Sequence, residues 1–170
     1  MAIDPLRRFA ADSVTVHQPL LDRLIDEEPA RVEDPPRRPV DEVRTLREAI
    51  RRDLEGLLNT RRPLVDAKVL KDGLETSLVG YGIDGFVGAN LASDVAKQKF
   101  ARSIERRIEM FETRLEKVRV TILKNRSEEE RALRMRIEAN FRVHAGMPPI
   151  RLESVIDPST LSIAIEAPNG

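Results

Sequence analysis

Glu112 and Arg114 are separated by a single residue. On a helix such a pair diverges, whereas in an extended segment both side chains leave the same face. Two uses follow. The pair can tie a helix end to the strand after it, or the arginine's planar fork can be offered to carboxylates or carbonyls of a partner protein. Both readings stay open on the residues alone. Acid–base catalysis is a third use to weigh. A glycosidase needs two carboxyls about 5–9 Å apart, one held in an apolar pocket that raises its pKa. Glu112 beside Phe111 is the one acid in such company. No second carboxylate is paired with it by spacing, and five Phe, one Tyr and no Trp leave little to line a sugar cleft. A non-enzymatic protein is expected. Without cysteine there is no disulfide scaffold, thiolate metal site or thiol nucleophile. His17 and His144 have neither a ligand nor a base partner at a recognisable spacing, so they read as surface histidines. No metal and no cofactor are expected.

Other charged clusters admit similar pairs of readings. Asn59-Thr-Arg-Arg62 reads as a helix end. Asn59 can take a left-handed cap, and Arg61 and Arg62 favour the negative end of the helix dipole. The alternative is an interface anchor at Arg61 or Arg62. Arg51 and Arg52, about two turns earlier, read as a solvated face. Arg134, Arg136, Glu138 and Arg142 alternate along one segment and form a polar sheet face, solvated or docked on protein. A nucleic-acid platform would use stacking aromatics, and this face has none.

Charge is balanced overall and uneven along the chain. In 170 residues, 29 Lys and Arg match 29 Asp and Glu. Residues 1–40 carry 8 acids against 6 bases, while residues 97–136 carry 13 bases against 7 acids. The neutral total gives no global case for nucleic acid or an anionic membrane. The basic block keeps one alternative alive, a basic α+β nucleic-acid-binding module using residues 97–136. No apolar run approaches the ~20 residues of a membrane span. Met1-Ala-Ile-Asp-Pro-Leu-Arg-Arg8 lacks the apolar core of a signal peptide. A soluble cytoplasmic protein is expected.

These side chains need elements to position them. Residues 1–40 hold 6 of the 11 prolines and read as a flexible, Pro-rich N-terminal segment, with a short amphipathic helix near 19–25. Residues 41–166 read as a single domain. Val43, Leu46, Ile50, Leu54 and Leu57 recur at helical steps, with Asp41 as N-cap and a stop near Asn59. A second helix is predicted over 91–111, with Asn90 as cap and Leu91, Val95, Ile104, Ile108 and Phe111 on its buried side. Between them, Ser77 to Phe86 is a glycine-punctuated structured loop. The period then changes from 3.6 to 2. Val118, Val120 and Ile122 alternate with polar residues, and Leu133 to Val143 does so over a longer run. The link 125–131 makes these an antiparallel hairpin. Ile150–Ile156 and Leu161–Ile165 give two more strands. The expected fold is α+β, with two main helices on one face of an antiparallel or mixed sheet.

Four stretches occur in an order that resembles a known family: Leu20-Leu-Asp-Arg-Leu24, Ile50-Arg-Arg-Asp-Leu-Glu-Gly-Leu-Leu-Asn-Thr-Arg-Arg62, Ser77-Leu-Val-Gly-Tyr-Gly82 and Ile104 to Leu115. Together they resemble TssE, the type VI secretion baseplate subunit, which is similar to the sheath-initiating wedge subunit of contractile phage tails. The resemblance runs from about residue 19 to 165. The family's Glu-Pro-Arg-Leu signature reads Glu112-Thr-Arg-Leu115 here. Proline would stop the helix outright, whereas Thr113 keeps its N–H. The Tyr81-Gly-Ile-Asp-Gly loop likewise departs from a Tyr-Gly-x-Pro-Asp pattern. The resemblance implies a structural subunit that docks on other wedge proteins (TssF, TssG, TssK) and initiates or anchors the sheath (TssB, TssC). It implies partner contacts at Glu112, Thr113, Arg114 and Leu115, with Arg61 and Arg62 as further anchors. It also implies a place at the cytoplasmic face of the inner membrane, and a sheet edge that accepts sheath strands.

Overall fold

The computed structural model describes residues 20–24, 29, 39–63, 73–84, 93–124, 132–142, 148–156, 160 and 162–166. His17, His144, Phe86, Asn90, Leu91, most of the Pro-rich stretch and the link 125–131 lie outside them. The order of elements is α1 (Leu20–Leu24), α2 (Pro39–Asn59), two short 3-10 turns (Leu74–Thr76 and Leu78–Gly80), α3 (Asp94–Phe111) and four strands. Strands β1 (Leu115–Leu123), β2 (Leu133–Phe141), β3 (Ile150–Ile156) and β4 (Ile163–Glu166) form an antiparallel sheet in sequence order. The fold is α+β, with helices first and a meander after them.

The helix ends correct three expectations. Helix α2 begins at Pro39, two residues before Asp41. Proline suits the first helical position, because its missing N–H would have no partner there. Asp41 is therefore not a cap. It sits with Glu42 in the first turn, where negative charge complements the helix dipole. Asn59 is not left-handed either, since Lys117 is the one non-glycine residue with positive φ among those described. Helix α3 starts at Asp94 with Ser93 as cap, its Oγ accepting from the Ala96 N–H at 3.2 Å. Val95 thus falls in the first turn and is 78% exposed instead of buried.

One core joins both helices to the inner face of the sheet. It takes Leu46, Ile50, Leu54, Leu57 and Leu58 from α2, and Ile104 and Ile108 from α3. The sheet supplies Leu115, Val118, Val120, Met135, Ile137, Phe141, Leu152, Ile163 and Ile165. Leu115 and Val118 both face this core although they are three apart, because the register slips between Glu116 and Arg119 where Lys117 has φ 54°. An extra residue in a strand shifts the alternation by one position. The outer face is wet and ion-paired. Arg136 and Arg134 reach Glu153 at 2.8 and 3.5 Å, and Arg151 reaches Glu138 at 3.0 Å.

Candidate functional site

Helix α3 ends without proline because Glu112 closes the turn itself. The Glu112 N–H still bonds to Ile108 O at 2.8 Å. Its carboxylate then accepts the Arg114 N–H at 3.1 Å, while the Leu115 N–H donates to Glu112 O at 3.1 Å. Two main-chain donors are thus satisfied within four residues, and β1 starts at once.

The same carboxylate holds the Arg114 side chain. Arg114 Nε donates to Glu112 Oε1 at 2.6 Å, and Nη2 donates to Glu112 Oε2. Nη2 also reaches Asp53 Oδ2 on α2 at 2.7 Å. Burial alone would favour loss of the guanidinium charge. Its bonds to Glu112, and then those to Asp53, outweigh that and raise its pKa further. Glu112 is only 6% exposed, so the pair is an internal tie between helix end and sheet. Arg114 keeps one nitrogen over: Nη1 has no acceptor among the described residues. Thr113 is exposed at the tip of the turn, and Leu115 lies wholly in the core.

The ionic chain extends beyond α2. Asp53 Oδ1 accepts from Arg52 Nε at 3.3 Å and Nη2 at 3.1 Å, and Arg52 Nη1 reaches Asp22 of α1 at 2.7 Å. Five charges of alternating sign therefore run Asp22–Arg52–Asp53–Arg114–Glu112. A cleft of about 290 Å³ opens beside them, lined by Asp53, Leu54, Leu57, Tyr81, Phe111, Glu112, Thr113 and Arg114. The Tyr81 ring meets Phe111 edge to face at 5.3 Å. Burial, and then the charges of Asp53 and Glu112, push the Tyr81 phenol up, which keeps it protonated as a donor. Each of the four stretches singled out in the sequence contributes a residue to this chain or this cleft.

The loop bearing Tyr81 is built tightly. A Cβ on Gly80 would overlap the Glu75 carbonyl, and Gly82, at φ 98°, would strike the Thr60 carbonyl. Buried Arg107 donates to Gly80 O at 3.2 Å; burial lowers its pKa. Arg61 pairs by main chain with Ile83, and Arg62 forms an ion pair with Asp84. Neither side chain lines the cleft. Arg61 is exposed, whereas Arg62 is committed within the chain.

Arg51 and Asn59 have a role that spacing did not suggest. The Asn59 amide donates to Ile163 O at 2.8 Å and accepts the Ile163 N–H at 2.9 Å. One turn back, Glu55 accepts the Ile165 N–H at 3.4 Å, and Arg51 donates to Ile165 O at 3.1 Å. These α2 side chains stand where a fifth strand would lie, so Arg51 is not on a solvated face. At the other edge the Val120 N–H donates to Glu105 of α3 at 2.8 Å. Main-chain groups alternate sides along a strand, so Ile122 presents its N–H and C=O to that same edge. Among the described residues, Glu105 is the one side chain bonded to the run from Val118 to Leu123, while Arg142 Nη2 donates to Leu115 O before the bulge at 3.3 Å.

Among those residues no cluster of His, Asp or Glu could hold a metal ion, and no helix is long and apolar enough to cross a membrane. No curated protein matches the chain. A family model described as baseplate wedge protein gp25 matches residues 44–145, which takes in most of α2, the loop of Tyr81, α3, β1 and β2. That match covers more than half of the sequence, and the chain belongs to the baseplate wedge protein gp25 family, a structural family of baseplate subunits.

Proposed function

We propose that the chain is a non-enzymatic subunit of a type VI secretion baseplate wedge. In this reading it docks on other wedge subunits (TssF, TssG, TssK) through the cleft at Glu112, Thr113 and Arg114, and anchors the contractile sheath (TssB, TssC) through its sheet. The observation that carries the reading is a cleft lined by three of the four stretches and joined to the fourth through the Asp22–Arg52 ion pair, with a guanidinium whose Nη1 has no acceptor among the described residues. A partly buried arginine anchor beside Tyr81 and Phe111 is the kind of group that dominates binding energy at protein interfaces. Arg61, exposed beyond the end of α2, is a second contact in this scheme, and Arg62 acts through Asp84. Among the described residues, one sheet edge is left open for sheath strands to add to. The edge of β4 is filled by Arg51, Glu55 and Asn59, while from Val118 to Leu123 the edge of β1 meets, among the described residues, the side chain of Glu105 alone. The subunit works in the cytoplasm, at the cytoplasmic face of the inner membrane once assembled.

Co-expression with the other wedge subunits, followed by affinity purification, tests this. The expected result is co-purification with the wild-type chain and its loss when the Arg114 guanidinium is removed from a folded variant. Failure of the wild-type chain to co-purify where the other subunits assemble overturns the proposal. Salt-sensitive gel shifts with DNA or RNA would instead favour a nucleic-acid module built on residues 97–136, because phosphate contacts release counterions.

A further inference from the structure

Among the described side chains of helix α1, Asp22 is the one that holds it. Leu20, Leu21 and Leu24 are exposed, whereas the Asp22 side chain is 11% exposed and pairs with Arg52. Its second oxygen, Oδ2, is buried without a partner among the described residues. Taking a carboxylate oxygen out of water without a donor is costly. A helix of five residues does not sustain itself either. The pairing with Arg52 therefore fixes α1 at a definite place.

Arg52 in turn engages all three of its guanidinium nitrogens. Nη1 goes to Asp22, and Nε and Nη2 both go to Asp53 Oδ1. Neighbouring residues on a helix do not face each other, so Arg52 must fold back to reach Asp53. Asp22 holds it in that pose. With Oδ1 engaged, Asp53 turns Oδ2 to Arg114. We infer that Asp22 is a positioning residue for Arg114: docking of α1 orients the guanidinium that lines the cleft, through Arg52 and Asp53. Its value for partner binding rests on the reading proposed above; the structural coupling does not. Residues 20–24 lie outside the span matched by the family model.

The test uses the full chain as wild type, Asp22→Asn and Asp22→Glu. NMR of the free proteins reads the Arg114 Nε–H resonance and its exchange with solvent. Titration against the assembled wedge subunits reads Kd. Asp22→Asn is expected to move the Nε–H resonance, to speed its exchange and to weaken binding by about 2–10-fold, the effect of freeing one immobilised side chain. Asp22→Glu, which can still reach Arg52, is expected to restore both. If Asp22 only tethers α1, the Arg114 Nε–H is unchanged in Asp22→Asn, and the inference is overturned. If the wild type binds no wedge subunit, the docking proposal fails, and the NMR comparison still decides the coupling.

Discussion

Replacing Arg114 alone should destabilise this protein far more than replacing Arg114 and Glu112 together. The Glu112 carboxylate is almost wholly out of water and receives three donors, all of them from Arg114. Arg114→Met keeps the stem and the main-chain N–H but leaves a buried anion with one neutral donor. Removing one partner of a buried pair costs about 3–5 kcal/mol. The Arg114 side chain is 24% exposed, so water can reach part of the site, and the lower figure of about 3 kcal/mol is expected. In the double variant Glu112→Gln, Arg114→Met no charge is stranded there, and the glutamine oxygen still accepts the residue-114 N–H. Asp53 loses Arg114 but keeps Arg52. Exchanging a buried pair for neutral side chains of similar size is often neutral, so the double variant should lie within about 1 kcal/mol of wild type. Urea unfolding followed by circular dichroism reads the difference. At a slope of about 2 kcal/mol/M the single variant shifts its midpoint down by roughly 1.5 M, and the double variant by less than about 0.5 M. Equal midpoints for the two variants would refute the account of Glu112 as an anion held by Arg114. The double variant is also the folded chain without a guanidinium that the docking proposal requires. If it binds the wedge subunits as wild type does, Arg114 is not the contact.

Asn59→Ala removes the amide that pairs with both main-chain groups of Ile163; a loss of about 1–2 kcal/mol and faster hydrogen exchange at the Ile163 amide are expected. Gly80→Ala drives a Cβ into the Glu75 carbonyl and displaces the acceptor of Arg107; a loss of about 1–3 kcal/mol is expected in thermal or urea melts, and an unchanged midpoint would show that the loop yields freely. Glu105→Ala uncaps the Val120 amide at an edge open to water, so stability should change by less than about 1 kcal/mol while Val120 exchanges faster. In a sheath-binding assay the same variant should bind at least as well as wild type, and a loss of binding would count against strand addition at β1.

The strands were the most legible part of the chain. Ile150–Ile156 begins and ends as its alternation predicts, since one buried and one wet face write period 2 directly into the residues. Strand β1 starts three residues earlier than its evident alternation, because the bulge at Lys117 resets the phase between Leu115 and Val118. The helix interiors were legible for the same reason, and so were the stops at Asn59 and Phe111, whereas the N-terminal starts were not. Asp41, Asn59 and Ser93 are all residue types that cap, and which of them does so depends on where the chain enters the packed core. Of the site, Glu112 and Arg114 could be singled out by spacing and by resemblance, and their bond to each other was one of two open readings. Asp53 and Asp22 could not be recognised as partners. Asp53 is 61 residues from Arg114, and Asn59 is 104 from Ile163. No local period encodes such distances.

The threonine at position 113 sharpens what the helix-end motif must preserve. Proline in that place would end α3 by removing an N–H, a passive device. Here the helix ends because the Glu112 carboxylate offers the Arg114 N–H an acceptor outside the helix, and that bond depends on the position of the carboxylate, which the Arg114 side chain fixes. Termination of the helix and orientation of the guanidinium are therefore one event. A partner that captured Glu112 would compete with the turn on which the site stands. One that approaches Arg114 Nη1 leaves all three Glu112 bonds intact. The docking surface should accordingly supply an acceptor, a carboxylate or a carbonyl, to Arg114 and leave Glu112 alone. While glutamate stands at 112 the fold requires arginine at 114, and the proposed contact requires that arginine in any case. Lysine at 114 has a single nitrogen and could not serve Glu112, Asp53 and a partner with the geometry of a fork.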